Sequence, residues 1–113
     1  MISDMTELSV SVSVDDRDGD SRTLVRLVGE ADVTTPALAE VLAAEAAKKP
    51  RLLLVDLSGL TFIDSAALNQ IVQAHRKLRS DGCQLALVGP SRAVARILQL
   101  SAIDQVIPVR ASV

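Results

Sequence analysis

The run Leu52-Leu53-Leu54-Val55 constrains this chain most, because it is wholly apolar with no polar alternation. A strand of that pattern is buried on both faces, the situation of a central strand in a largely parallel sheet. It feeds the eleven residues Leu57–Ala67, Leu-Ser-Gly-Leu-Thr-Phe-Ile-Asp-Ser-Ala-Ala. These lead into a helix with Leu68, Ile71, Val72, His75 and Leu78 at helical spacing. Asp64 and Ser65 are therefore expected at a strand-to-helix junction, where backbone N–H groups lack partners and the helix dipole favours negative charge.

The remaining elements follow from similar patterns. Leu8, Val10, Val12 and Val14 alternate with Ser9, Ser11 and Ser13, the period of a half-buried strand. The polar turn Asp15–Asp20 contains Asp18-Gly19, which favours a hairpin, and Thr23–Val28 makes the returning strand. Gly29-Glu30-Ala31-Asp32 reads as a loop. Thr34 or Thr35 then caps a helix with Pro36 at its first position and Leu38, Val41 and Leu42 facing inward. Lys48-Lys49-Pro50 ends that helix, and the central strand follows over Leu52–Val55.

The second helix is expected from about Ser65 to Arg79, closed by Asp81-Gly82. Gln84–Val88 makes a fourth strand, and Gly89-Pro90-Ser91 opens a third helix with Val94, Ile97 and Leu98 inward. Val106–Val109 makes the last strand, with Pro108 pointing to an edge position. The order ββαβαβαβ predicts an α/β domain: a mixed sheet of about five strands, largely parallel after its first hairpin and covered by helices. Residues 1–113 read as one domain without repeats or linkers, with 1–6 a loose terminus.

Composition narrows the functional classes. Hydrophobic residues make up 49% of the chain, yet there is one Phe and no Trp or Tyr, so the core must be aliphatic. The apolar runs are far too short for a bilayer span, which predicts a soluble protein without membrane insertion. A net charge of −2, with no basic block and no aromatic platform, disfavours nucleic-acid binding. The N-terminus lacks the basic and apolar regions of a signal peptide. The single cysteine, Cys83, excludes an intramolecular disulfide, and together these features predict a cytoplasmic location.

Several candidate sites can be weighed from residue chemistry alone. A serine on a strand-to-helix turn can be a hydrolase nucleophile, but Ser65 has Ile63 and Ala67 where that elbow needs glycines. His75, the single histidine, lies ten residues along the same helix, roughly 15 Å away at ~1.5 Å per residue. A triad needs contact within about 3 Å, so no catalytic role is expected. His75 lies on the apolar stripe and has no ligand cluster beside it, so a structural histidine, satisfied or partly exposed, is expected. Cys83 reads as a buried small hydrophobe.

Asp16-x-Asp18-x-Asp20 has the spacing of half a calcium loop. Ser21 replaces the required glycine and Leu27 the bidentate glutamate, so a solvated turn is expected and no metal site. Gly89-Pro90-Ser91 lacks both the glycine fingerprint and the lysine of phosphate loops, which leaves helix capping and no nucleotide cofactor. Ser65 itself could cap its helix by accepting the Leu68 N–H, worth ~1 kcal/mol. Asp64 is an equally good acceptor one residue earlier, and if it caps, the Ser65 hydroxyl is free to face solvent. Capping and regulation by modification both remain open at this level.

The pattern Gly29-Glu30-Ala31-Asp32, then Leu54-Val55-Asp56-Leu57-Ser58-Gly59-Leu60-Thr61-Phe62-Ile63-Asp64-Ser65, resembles a STAS domain of the bacterial anti-sigma factor antagonist class. Gly89-Pro90-Ser91 and Arg96–Ile103 match at the expected spacing, so the resemblance runs from about Leu8 to Val109. It implies a protein that binds an anti-sigma factor and so releases a sigma factor. In this family the anti-sigma factor is also a serine kinase of the histidine-kinase-like ATPase fold. The kinase modifies the serine after the aspartate, here Ser65, and a phosphatase reverses the step. Phosphorylation adds about −1.5 to −2 charges, which would repel an acidic partner and resist desolvation in a packed contact. By the same resemblance Asp32, Thr35, Asp64, Ser65, Ala66 and Asn69 lie at or near the partner surface.

Two departures stand out. The family usually carries glycine at the positions of Ala67 and, often, Ala102. Ala is a better helix former than Gly by ~1 kcal/mol, so Ala67 is expected to stiffen the helix start and add a methyl group to the partner surface. Partner choice is therefore expected to differ around Ala66-Ala67. Two other roles suit a STAS-like domain: a scaffold or accessory subunit of a stressosome-like or lipid-transport complex with a structural serine, or a small-ligand sensor.

Overall fold

The computed structural model describes residues 9–15, 22–31 and 36–112. Asp32, Thr34 and Thr35, the acidic turn at 16–20 and the terminus at 1–6 lie outside the described residues. Five strands form one sheet in the order β1-β2-β3-β4-β5. These are β1 (Ser9–Asp15), β2 (Arg22–Ala31), β3 (Leu52–Ile63), β4 (Gln84–Val88) and β5 (Val109–Arg110). The β1–β2 pair is antiparallel and the other three pairs are parallel, so the mixed sheet has the expected arrangement. Three helices, α1 (Pro36–Ala47), α2 (Ser65–Ser80) and α3 (Arg92–Leu100), form the crossovers.

Side-chain alternation decides where the helices go. Val25 and Leu27 of β2, Leu53, Val55 and Leu57 of β3, and Leu85 and Leu87 of β4 share one face. There they join Leu38 and Leu42 of α1, Leu68, Ile71 and Leu78 of α2, and Val94 and Leu98 of α3 in a single aliphatic core. The opposite face carries a smaller cluster of Leu54, Ala86 and Val88, with Leu24 and Leu52 packed against it and no helical residue in it. Val10 packs against the main core, whereas Val12 and Val14 of the edge strand are 40% and 55% exposed. The predicted alternation in β1 is present, but burial fades where the sheet runs out.

Three boundaries differ from the sequence expectation. The segment Gly29–Ala31, expected as a loop, continues β2, and β3 runs on past Val55 to Ile63. Both extensions come from one cause: β2 and β3 stay paired beyond the rest of the sheet through two register shifts. Arg26 faces Asp56 but Val28 faces Gly59, and Gly29 faces Leu60 but Glu30 faces Phe62. Each shift inserts an extra residue into β3, a β-bulge that turns the strand and reverses its alternation. The inward set therefore passes from Leu53, Val55 and Leu57 to Leu60 and then Ile63, each at most 1% exposed. A strict period-2 reading fails at Ser58-Gly59 for this reason.

The last strand is the third difference, since β5 is Val109–Arg110 rather than Val106–Val109. A 3₁₀ turn at Ile103–Gln105 occupies the approach, and Ile107 is drawn fully into the core. Pro108 precedes the strand at the sheet edge, and its carbonyl accepts from the Leu87 N–H at 2.9 Å.

Candidate functional site

The two bulges aim the end of β3 at the first turn of α2. Gly59 has to be glycine here, because a Cβ would lie 2.8 Å from Val28 Cγ2 and 3.0 Å from the Leu27 carbonyl oxygen. Gly29 holds the second shift with φ 112°, a conformation open to glycine. The extra residue Thr61 donates its hydroxyl to the Gly29 carbonyl at 3.2 Å, fastening the ribbon. At the first bulge, Asp56 Oδ1 accepts from the Ser58 N–H at 2.9 Å and Oδ2 accepts from Arg26 Nε at 3.1 Å. Burial disfavours the Asp56 charge, but these bonds and the Arg26 guanidinium outweigh it and hold the carboxyl below its ordinary 3.8.

Beyond Ile63 the chain turns at Asp64, with φ −100° and ψ 176°, and enters α2. Asp64 Oδ1 accepts the Ala67 N–H at 2.9 Å, while its carbonyl accepts the Leu68 N–H at 3.0 Å. Asp64 is thus the N-cap and Ser65 the first helical residue. Ser65 is exposed, and its hydroxyl makes no hydrogen bond among the described residues. The alternatives left open by residue chemistry divide here: capping falls to Asp64, and the serine is displayed.

Asn69, one turn on, is also exposed, and Ala66 is half-buried. Ala67 departs from expectation. It is 2% exposed and belongs to the main core, so its methyl group packs inward instead of enlarging the outer surface. Of the residues predicted at the partner surface, Asp64, Ser65, Ala66 and Asn69 lie at the N-cap and the first two turns of α2, and Asp32 and Thr35 are outside the described residues.

One neighbour was missed in the sequence. Phe62, the single aromatic, is 42% exposed three residues before Ser65, and Val28 on the paired strand is 45% exposed. Period-2 counting on from Leu57 also puts Phe62 on the outward face, and the two bulges, which reverse the alternation twice, leave it there. A lone aromatic in an otherwise aliphatic chain was the available signal.

Elsewhere, His75, expected as a structural histidine that is satisfied or partly exposed, is buried at 8% exposure, and its Nδ1 has no hydrogen-bond partner among the described residues. Burial first, then Arg79 and Arg76, lower its pKa from the usual 6.5. Cys83 is half-buried rather than buried, and packs against the core. Ser91 caps α3 by accepting the Val94 N–H at 3.2 Å, as predicted. Among the described residues no three His, Cys, Asp or Glu side chains gather, and no helix is long and apolar enough to cross a membrane.

A double-bulged central strand leading to a capping aspartate and a displayed serine defines a class. The STAS domain model matches residues 11–113, and the chain belongs to that family. The anti-sigma-B factor antagonist of Listeria monocytogenes is 27% identical over 104 residues, 91% of this chain and 90% of that protein. An anti-sigma factor antagonist from Mycobacterium paratuberculosis superposes with a TM-score of 0.78 at 29% identity, covering 93% of this chain and 88% of that one. The antagonist SpoIIAA in its unphosphorylated form shares the fold, with a TM-score of 0.69 at 18% identity over 89% of each chain.

Proposed function

We propose that this chain is an anti-sigma factor antagonist that binds an anti-sigma factor through the first turn of α2 and the end of β3. It acts as a binding protein, not an enzyme. The observation that carries the reading is the separation of roles at the junction: Asp64 caps, which leaves the Ser65 hydroxyl unbonded and exposed. In this reading the anti-sigma factor is a serine kinase of the histidine-kinase-like ATPase fold that phosphorylates Ser65, and a phosphatase restores the hydroxyl. Asp32 and Thr35 belong to the same surface by resemblance to the family.

The physical account is electrostatic. A phosphoryl group on Ser65 adds about −1.5 to −2 charges beside Asp64. The N-terminal dipole of α2 accommodates that charge in the free protein, so the fold survives. In a packed complex the same charge must be desolvated, and binding is lost. Exposed Phe62, three residues before Ser65, supplies an apolar anchor, the kind of contact on which interface energy concentrates.

Incubation with the cognate anti-sigma kinase and ATP, followed by mass spectrometric mapping, tests the reading. A single phosphate on Ser65, absent from Ser65→Ala, is expected. Phosphate placed elsewhere, or none at all, would contradict it.

A further inference from the structure

A groove of about 630 Å³ opens between α2 and the corner after α3, far along α2 from Ser65. That size lies within the range of about 300–1,000 Å³ used by small-molecule sites. Val72, Ile103 and Val106 give it apolar walls, and Val106 is 55% exposed. Arg76 and Arg79 stand at its rim. Neither guanidinium has an ion-pair partner among the described residues, whereas Lys77 between them pairs with Asp81 at 3.5 Å.

The groove is also where His75 lies, 8% exposed and with Nδ1 buried and unpartnered among the described residues. His75 Nδ1 is thus a buried polar atom left without a partner among the described residues, and the two exposed guanidiniums beside it make the mouth of the groove cationic. The hydroxyls do not relieve this. Ser101 Oγ donates to the Ile97 carbonyl at 2.8 Å and Ser80 Oγ to the Lys77 carbonyl at 2.9 Å, so both offer only lone pairs to the groove. The one acid of the adjoining 3₁₀ turn, Asp104, is not among the lining residues.

We propose that this groove is a binding site for a small amphipathic anion, a carboxylate or phosphate monoester headgroup on a short aliphatic body. The headgroup meets Arg76 and Arg79, where charge-assisted hydrogen bonds are strongest, and the aliphatic body lies against Val72, Ile103 and Val106. The proposal is independent of the role of Ser65 and can be tested on the unmodified full chain without a partner.

Calorimetry and NMR with octanoate, octyl phosphate, 1-octanol and inorganic phosphate separate the contributions. Saturable binding of octanoate or octyl phosphate is expected, and whichever binds more tightly identifies the headgroup. Shifts should centre on Val72 and Ser101–Ile103, and the His75 imidazole titration should move upward. The double variant Arg76→Gln/Arg79→Gln should weaken binding roughly tenfold or more with unchanged thermal unfolding, since both side chains are exposed. Arg96→Gln on α3, outside the lining, should bind as the wild type does. Octanol matching the charged ligands, inorganic phosphate matching octyl phosphate, shifts centred elsewhere, or unaltered binding by the double variant would each overturn the proposal.

Discussion

The hydrogen bond from the Ala67 N–H to Asp64 Oδ1 at 2.9 Å determines what Ser65 can do. Without it, the serine hydroxyl would be the nearest acceptor for the first turn of α2 and would be held against the backbone. The neighbouring Phe62 extends the same logic, because its exposure has no stabilising purpose within the chain. Phe62→Ala should therefore leave thermal unfolding within about 0.5 kcal/mol of wild type. Binding to the anti-sigma factor should weaken by about tenfold or more, measured by calorimetry. Unchanged affinity would remove Phe62 from the surface. The sequence revealed the Asp64-Ser65 pair and both candidate roles for it; only the hydrogen-bond geometry separates them. Phe62 was not placed because the apolar run reads as a strand ending at Val55, whereas pairing with β2 carries β3 on to Ile63.

At the scale of elements, glycine and alanine positions fix β3 and the end of α3. Gly59 admits Val28 Cγ2 into the space a Cβ would fill, whereas Ala102 holds φ 62° without the freedom of glycine. Substitutions at the two positions should have opposite signs. Gly59→Ala forces the paired strands apart at the first bulge and should cost about 1–3 kcal/mol. Ala102→Gly relieves a left-handed residue and should stabilise by up to about 1 kcal/mol. Chemical denaturation of both variants checks the contrast, and two effects of the same sign would refute this account of the bulge and the helix end.

The bulges also explain which elements were legible. Helix α1 begins at Pro36 as expected, and β4 spans Gln84–Val88 as expected, because capping signals and an unbroken apolar strand are local. The true lengths of β2 and β3 depend on pairing between residues some thirty positions apart, such as Val28 with Gly59, which a one-dimensional pattern does not contain. The 3₁₀ turn before β5 was likewise hidden, since Val106–Val109 reads as a strand until Ile107 is seen packing into the core.

Across the whole molecule, the single histidine gives stability a defined pH dependence. The folded-state pKa of His75 lies below its usual 6.5, so the unfolded chain takes up that proton first as the pH falls. His75 therefore contributes stability that is full above about pH 6.5 and declines below it, down to the lowered folded value. Asp56 acts in a more acidic window: its carboxyl titrates below 3.8 in the folded state, so its contribution persists above that value and is lost as the pH falls through the folded one. Urea denaturation should show stability falling from pH 7 to pH 5, with the slope abolished in His75→Leu. A flat wild-type profile would contradict the burial of a neutral imidazole.

The same scale holds the central claim, that a fold rigid at the β3–α2 junction binds its partner and is switched by charge at Ser65. The direct test is the affinity of the cognate anti-sigma factor for the unmodified and Ser65-phosphorylated forms, with circular dichroism on both. The account predicts superimposable spectra and an affinity loss of about 100-fold, or roughly 2.7 kcal/mol. Equal affinities for the two forms would contradict it.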